Sequence, residues 1–128
     1  MRKIRFRGQT VDTKELIYGD LIHRPTVNDI CIANQNLTRS VSPDTVGQFT
    51  GFTDKNGVEI YENDIIKVDI FSKPYFISFG QSEKWGACFC VQSHNSITFL
   101  TKNWASTSEV IGNIHENPEM IHGIPELL

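Results

Sequence analysis

The sequence has few cysteines, little excess charge and no long hydrophobic run, and each shortage argues against a class of protein. Three cysteines in 128 residues are too few for the disulfide framework of a small secreted domain. A net charge of −3 disfavours nucleic-acid binding through bulk positive charge, although a local basic patch would escape that argument. No stretch approaches the roughly 20 apolar residues that cross a bilayer. We therefore expect no membrane association.

The first residues also lack a secretory signal, because apolar and basic side chains are interleaved there and form no apolar run. The expected location is the cytoplasm of a bacterial cell. In that reducing compartment Cys31, Cys88 and Cys90 are expected to be free thiols.

Catalytic signatures are missing as well. The chain contains no Gly-x-Gly-x-x-Gly, no P-loop and no nucleophile elbow. One stretch is rich in carboxylates but has neither the alternate spacing of an EF-hand loop nor a pattern that identifies a glycosidase pair. Turn acids and a solvated strand face are the favoured interpretation. This stretch contains Asp54, Glu59, Glu62, Asp64 and Asp69.

The thiols at Cys88 and Cys90 are two residues apart, so on a strand they share one face. His94 is close in sequence, but the set lacks the paired spacing of a zinc site. A disulfide is disfavoured because adjacent same-face positions are too far apart for easy bridging. We expect thiols packed beside Phe89 and no metal or cofactor.

What the sequence does contain is short segments of alternating or β-branched and aromatic residues, enough for a core in one domain spanning residues 1–128. Turn residues separate these segments, and only Asn117-Pro118-Glu119 has the pattern of a helix start. The predicted fold is mainly β, a small antiparallel barrel or sandwich with extra strands and at most short helices. The predicted strands are Lys3–Arg7, Leu16–Ile22, Ile30–Ile32, Val46–Phe52, Val58–Tyr61, Ile65–Ile70, Tyr75–Phe79, Ala87–Val91, Ile97–Leu100 and Glu109–Ile114.

In the first predicted strand, Lys3–Arg7, basic and apolar residues alternate. Alternation places Ile4 and Phe6 on one face and a basic row on the other. That row could pair with phosphates or with an acidic surface, or it could protect a sheet edge from unwanted pairing. The candidate binding face consists of Arg2, Lys3, Arg5 and Arg7, with Arg24 as a further neighbour.

The centre of the chain is organised by turns. Asn56-Gly57 predicts a hairpin that needs positive φ, and the acids before and after it can accept backbone N–H bonds. We interpret this segment as architecture rather than as a binding site. Its structural turn residues are Gly47, Gly51, Asp54, Asn56, Gly57, Asn63 and Asp64.

Three ordered pieces of the chain together resemble the YopX family: Val46–Ile66, Arg2–Gly8 with Tyr18–Leu21, and Val110–Glu119. The resemblance implies a phage or prophage gene and a mainly β fold with an SH3-type barrel, and it implies no established activity. One departure is Asn63, where the family's turn has glycine. Asn tolerates a left-handed conformation best among the other residues, so the turn can survive.

The leading functional hypothesis is a non-enzymatic binding or assembly module that acts through a phage or host protein partner or through self-association as a homo-oligomer. It rests on abundant aromatic residues in turn-rich stretches, where exposure is plausible. The alternative is a nucleic-acid-binding β-barrel module using the basic row, and a small hydrolase or nuclease is a remote third. The aromatic residues in question are Phe71, Tyr75, Trp85 and Trp104.

Overall fold

The chain folds mainly into antiparallel β-strands arranged in two sheets. A computed structural model describes residues 2–25, 27–69, 73–82, 86–93 and 96–121, and gives no side-chain surroundings for residues 81 and 82. The described chain divides into two compact units, Met1–Gly51 and Phe52–Leu128. We describe each unit by itself.

The first unit is built around a long hairpin. Strand β1 is Phe6–Gln9, β2 is Leu16–Arg24, β3 is Asp29–Ala33 and β4 is Thr38–Ser40, with a 3₁₀ turn at Pro43–Thr45. Strand β5, Gly47–Thr53, begins in this unit and ends in the second. The order of these strands in the sheet is β4-β3-β2-β1-β5. The first half of β2 pairs with β1, and its second half, from Asp20 onwards, pairs with β3. β2 therefore changes partners at Gly19.

The interior of the first unit mixes apolar and polar side chains. Cys31, Ile32, Val41 and Phe49 are buried, and so are three polar residues, Arg7, Thr10 and Thr45. The Thr45 hydroxyl accepts a hydrogen bond from the Gln9 amide at 2.9 Å. Buried polar groups of this kind need partners, because an unsatisfied one costs about 1–3 kcal/mol.

The second unit contains the five-stranded sheet. Strand β6 is Glu59–Tyr61, β7 is Asp64–Lys67, β8 is Tyr75–Ser82, β9 is Gly86–Gln92, β10 is Ile97–Phe99 and β11 is Glu109–Asn113. β6 is not part of the five-stranded sheet, whose order is β10-β9-β8-β7-β11 and whose pairs are all antiparallel. Helix α1, Lys102–Thr107, precedes β11, and Pro118–Ile121 forms a second 3₁₀ turn.

The second unit packs around an apolar core. Strand alternation directs Ile77 and Val91 to one face of the sheet, where they join the helix residue Ala105. The opposite face of the sheet buries Ile65 and Phe76 against Ile121. The main cluster consists of Ile60, Ile66, Ile77, Val91, Leu100 and Ala105.

The structure confirms the predicted mainly β, antiparallel class. Each sheet begins and ends on a different strand, so neither closes into a barrel within the described part of the chain. Helix α1 was not predicted. Thr101 caps it by accepting a hydrogen bond from the Trp104 amide at 3.2 Å, but six residues are too few to show a helical period.

The first strand differs from its prediction. β1 begins at Phe6, so residues 3–5 precede the strand and strict alternation does not apply to them. Ile4 is 57% exposed whereas Arg7 is only 6% exposed, which reverses the predicted faces at both positions. β1 also lies between β2 and β5. Protection of a sheet edge therefore does not explain its basic residues.

None of the helices in the described ranges combines the length and the apolar character required to span a bilayer.

Candidate functional site

A groove at the start of β1 is the candidate site. Residues 3–5 form one wall, Gly19 and Asp20 of β2 form another, and residues 33–35 complete the lining. The groove encloses about 500 Å³ and is open to solvent. All of these residues belong to the first unit. We call this feature the N-terminal groove.

The base of the N-terminal groove depends on a glycine. A Cβ atom at Gly19 would lie 2.1 Å from the carbonyl oxygen of Ala33, so no other residue fits without moving the backbone. Glycine within a strand often marks a bulge or a close approach of another backbone. The close approach to Ala33 gives the physical reason why glycine is needed where β2 exchanges one partner strand for another.

Asn34 fixes the wall opposite the basic residues. Its side-chain amide donates to the Tyr18 carbonyl at 2.9 Å. Its Oδ1 accepts from the amides of Asn36 and Leu37 at 2.9 and 3.1 Å, which closes the turn between β3 and β4. Gln35, held at the tip of this turn, is exposed.

The predicted basic row is only partly assembled in the groove. Lys3 is exposed, and its ammonium lies 5.8 Å from the centre of the Phe49 ring, within the range of a cation–π contact. Arg5 is half-buried, and its carbonyl accepts from the Phe49 amide at 2.8 Å. Arg2 is exposed outside the lining, and Arg7 is buried in β1. The groove thus brings together Lys3 and Arg5.

Two further lining residues add a negative charge and an apolar side chain to the groove. Asp20 contributes an exposed carboxylate and Ile4 an exposed aliphatic side chain. Together with the amide of Gln35, the lining offers both signs of charge, hydrogen-bonding groups and apolar surface. Arg24 does not belong to the lining but pairs with Asp29 farther along the hairpin.

That ion pair is part of a small polar network on the β2–β3 hairpin. Asp29 also accepts a hydrogen bond from the Ser40 hydroxyl at 2.7 Å. The hydrogen bond from Arg24 is the main reason that the pKa of Asp29 lies below its ordinary value, and the bond from Ser40 adds to the effect. The same hydrogen bond raises the pKa of Arg24.

Two carboxylates of the central stretch, those of Asp54 and Asp64, accept hydrogen bonds from backbone amides. Asp54 is buried, with Oδ1 accepting from the amides of Asn56 and Val58 at 2.8 and 2.9 Å and Oδ2 from Val110 at 2.9 Å. Asp64 is 1% exposed and accepts from the Tyr61 amide at 2.7 Å. Within the described residues, no group of three or more metal-ligating side chains forms.

Three of the other predicted turn positions, Gly51, Gly57 and Asn63, adopt positive φ, whereas Gly47 lies in strand β5. Gly57 has φ 81° at the tip of the hairpin, and Gly51 has φ 91° in β5. Asn63 adopts φ 78°, and its amide and carbonyl bond to Ile77 and Ile114 at 2.7 and 2.9 Å. Gly47 is buried opposite Arg7.

The three cysteines fall into two places. Cys31 is 1% exposed, with its Sγ 3.6 Å from the Asp29 carboxylate. Cys88 and Cys90 share a face of β9, with 3.7 Å between their Sγ atoms. Burial is the largest reason that the pKa of Cys90 rises to about 11. His94 lies outside the described residues.

The aromatic residues named from the sequence do not form an exposed platform where they are described. Tyr75 and Trp104 meet edge to face, with ring centres 5.2 Å apart, and pack against the main apolar cluster. Phe71 and Trp85 lie outside the described residues. Among the described residues, the exposed rings are instead Tyr18, Phe79 and Phe99, at 39%, 48% and 44%.

Comparison with known proteins gives a family and a related fold. The family model described as YopX protein matches residues 5–122. The crystal structure of protein EF1440 from Enterococcus faecalis is similar, with a TM-score of 0.63 and 22% sequence identity, over 95% of this chain and 100% of that one. At that identity the likeness concerns the fold alone. No curated protein matches this sequence.

Proposed function

Because this chain belongs to the YopX family, we propose that it is a non-enzymatic binding module of phage or prophage type that acts in the bacterial cytoplasm. In this proposal the N-terminal groove holds an extended segment of a phage or host protein. The observation that carries the proposal is the groove itself, an open recess of about 500 Å³ lined by side chains of mixed chemistry.

The lining suits a peptide better than a purely apolar or a purely charged ligand. Lys3 and Arg5 can pair with a carboxylate of the partner, and Asp20 can pair with a cation. Ile4 supplies apolar contact, and the Gln35 amide can bond to a peptide backbone. Such a mixture gives orientation and selectivity, whereas buried area alone does not determine affinity.

The fixed walls of the groove favour binding without large rearrangement. Asn34 is held by three hydrogen bonds, to Tyr18, Asn36 and Leu37. Gly19 lies against the backbone of Ala33. A recess whose walls are already ordered loses less conformational entropy when a ligand binds.

Affinity capture from cells that carry the prophage tests this function. The wild-type chain is compared with Lys3→Glu, which reverses a charge in the groove, and with Gln35→Trp, which fills it. Lys102→Glu makes the same charge change on the exposed first residue of α1 and is the matched control. We expect a protein that is retained by the wild type and the control and lost from both groove variants. Equal capture by all four chains would contradict the proposal.

A second copy of this chain is a further candidate partner for the same groove. Light scattering across a range of concentrations measures it directly, because a self-associating chain gains mass as concentration rises. A mass that rises for the wild type but not for Gln35→Trp would identify the partner as another copy. A strict monomer would remove this form of the proposal.

Nucleic acid is the less favoured ligand. Asp20 lies in the same groove as Lys3 and Arg5 and would repel a phosphate backbone. Burial of Arg7 also removes one cation from the predicted row. Fluorescence anisotropy with single- and double-stranded oligonucleotides at low salt, where backbone binding is strongest, would reveal such an activity.

A further inference from the structure

The thiol pair on β9 is a second feature with its own chemistry, and it is independent of the N-terminal groove. Cys88 and Cys90 are two residues apart on a strand, so their side chains leave the same face. Their Sγ atoms are 3.7 Å apart. Across the strand pair with β8, Gly80 lies opposite Cys88, and Ser78 lies opposite Cys90.

The sulfur–sulfur separation excludes a disulfide and fits two thiols in contact. A disulfide needs about 2.05 Å between the sulfurs, and strand geometry resists that approach, because alternate residues lie about 6.6–6.8 Å apart along an extended chain. Two thiolates on one tetrahedral metal ion, with metal–sulfur bonds of about 2.3 Å, lie about 3.8 Å apart. The observed 3.7 Å is that of two thiols in contact and is also close to the edge of a metal tetrahedron, so the two sulfurs need little movement to bond to one ion.

Space beside the sulfurs is provided by the glycine on β8. A Cβ atom at Gly80 would lie 3.6 Å from the Cys90 Sγ, so any larger side chain there would extend into the region next to the thiols. Cys88 is half-buried, whereas Cys90 is 3% exposed. Access from solvent is therefore by way of Cys88. Phe99, 44% exposed on the edge strand β10, lies opposite Cys90 on its other side.

We propose that Cys88 and Cys90 form a chelating site for one thiophilic divalent cation of the zinc and cadmium class. Each thiol loses its proton as its sulfur bonds to the metal, so two protons are released for each ion bound. Soft thiolate sulfur selects such cations over magnesium or calcium. The described residues provide no group of three ligands. Water or a donor from a binding partner supplies the other positions of the tetrahedron.

Cadmium titration of the full, reduced chain under anaerobic conditions tests the site. Cadmium–thiolate bonds absorb in the near ultraviolet, so the absorbance reports sulfur ligation directly, and competition with a chelator gives the affinity. The variants are Cys88→Ser, Cys90→Ser and the double variant. Cys31→Ser removes a buried thiol outside the pair and is the matched control.

We expect the absorbance to reach its endpoint at one cadmium per chain in the wild type and in Cys31→Ser. Loss of either paired thiol should weaken binding by at least about tenfold, since even loss of a supporting partner weakens metal sites about 10–100-fold. The double variant should show no thiolate band. Absence of the band from the wild type, or its persistence in the double variant, would overturn the proposal.

A variant that keeps both thiols covers the case in which Cys90→Ser fails to fold. Gly80→Val adds a branched side chain beside the sulfurs without removing a ligand, and circular dichroism verifies that it folds. We expect its cadmium affinity to fall while the number of free thiols stays the same. Unchanged affinity in a folded Gly80→Val chain would contradict a site on this face of β9.

Discussion

The two compact units differ in how many of their apolar side chains they bury. Among the described residues, the second unit buries eleven apolar residues and exposes five large ones. The first unit buries only four, Cys31, Ile32, Val41 and Phe49, and both units bury some polar side chains. The first unit also exposes more large apolar side chains than it buries among the described residues. Those exposed are Ile4, Val11, Tyr18, Leu21, Ile22 and Val27.

The difference suggests a division of roles. A unit with a continuous apolar core derives its stability from burial, at about 25 cal/mol for each Å² of apolar surface removed from water. A unit that exposes more large apolar side chains than it buries has apolar surface available for a partner. In this account the second unit serves mainly as scaffold, and the first unit, with its N-terminal groove, performs the recognition.

The largest expected change in the free energy of unfolding comes from comparing two isoleucine substitutions, one in each unit. Ile77 is fully buried in the second unit, and Ile4 is 57% exposed in the first. Ile77→Ala should lower the free energy of unfolding by about 2–5 kcal/mol because it leaves a cavity. Ile4→Ala should change it by less than about 0.5 kcal/mol. Urea unfolding measures both. Similar losses of stability in the two variants would contradict the difference between the two units.

A pair of aspartates gives the next largest effect. Asp54→Ala removes the acceptor of three backbone amides and should cost on the order of 3 kcal/mol. Asp54→Asn keeps one carbonyl acceptor and should cost less. Asp12→Ala, at an exposed carboxylate of the first unit, should leave the unfolding midpoint nearly unchanged. Thermal unfolding of the three variants measures this order of stability loss. Equal losses in Asp54→Ala and Asp12→Ala would contradict it.

Substitutions at Asn63 test how much the left-handed backbone of its turn contributes to the stability of the second unit. The φ of 78° at Asn63 strains a residue with an ordinary Cβ, so Asn63→Ala should cost about 1–2 kcal/mol. Asn63→Gly restores the residue that the family's turn uses and should be within about 0.5 kcal/mol of the wild type. Chemical denaturation compares the two. If alanine were tolerated as well as glycine, the left-handed backbone would not be limiting.

The smallest effect concerns charge on the hairpin of the first unit. The hydrogen bond from Arg24 keeps the pKa of Asp29 below its ordinary value. Its contribution to stability is therefore present above that ordinary pKa and lost as the pH falls through the lowered one. An NMR titration of the carboxyl should show its pKa rise in Arg24→Ala and, by less, in Ser40→Ala. No rise in Arg24→Ala would exclude this ion pair as the cause.

Local features of this chain could be predicted from sequence, and features set by distant contacts could not. The hairpin at Asn56-Gly57 and the turn at Asn63 were predicted because their conformations depend on neighbouring residues. The burial of Arg7 depends on β1 lying between β2 and β5, which are distant in sequence. Alternation was also extended to residues 3–5, where there is no strand.

The candidate site was found only in part for the same reason. The basic residues predicted a binding face near the start of β1, and two of them, Lys3 and Arg5, line the N-terminal groove. The opposite wall comes from the turn after β3, which meets β2 through the contact between Gly19 and Ala33. Gly19 within a strand pattern was the one local signal of a close backbone approach. Nothing local indicated which segment would lie against it.

Site-specific photo-crosslinking tests directly whether the N-terminal groove binds a protein partner. A photoreactive phenylalanine analogue replaces Gln35 in the groove or, as a control, the exposed Lys102 on α1. Both chains are irradiated in prophage-bearing cells, and the adducts are identified by mass spectrometry. We expect a discrete protein adduct from position 35 and no adduct with the same protein from position 102. An adduct from position 102 alone, or the same adduct from both positions, would contradict recognition through the N-terminal groove.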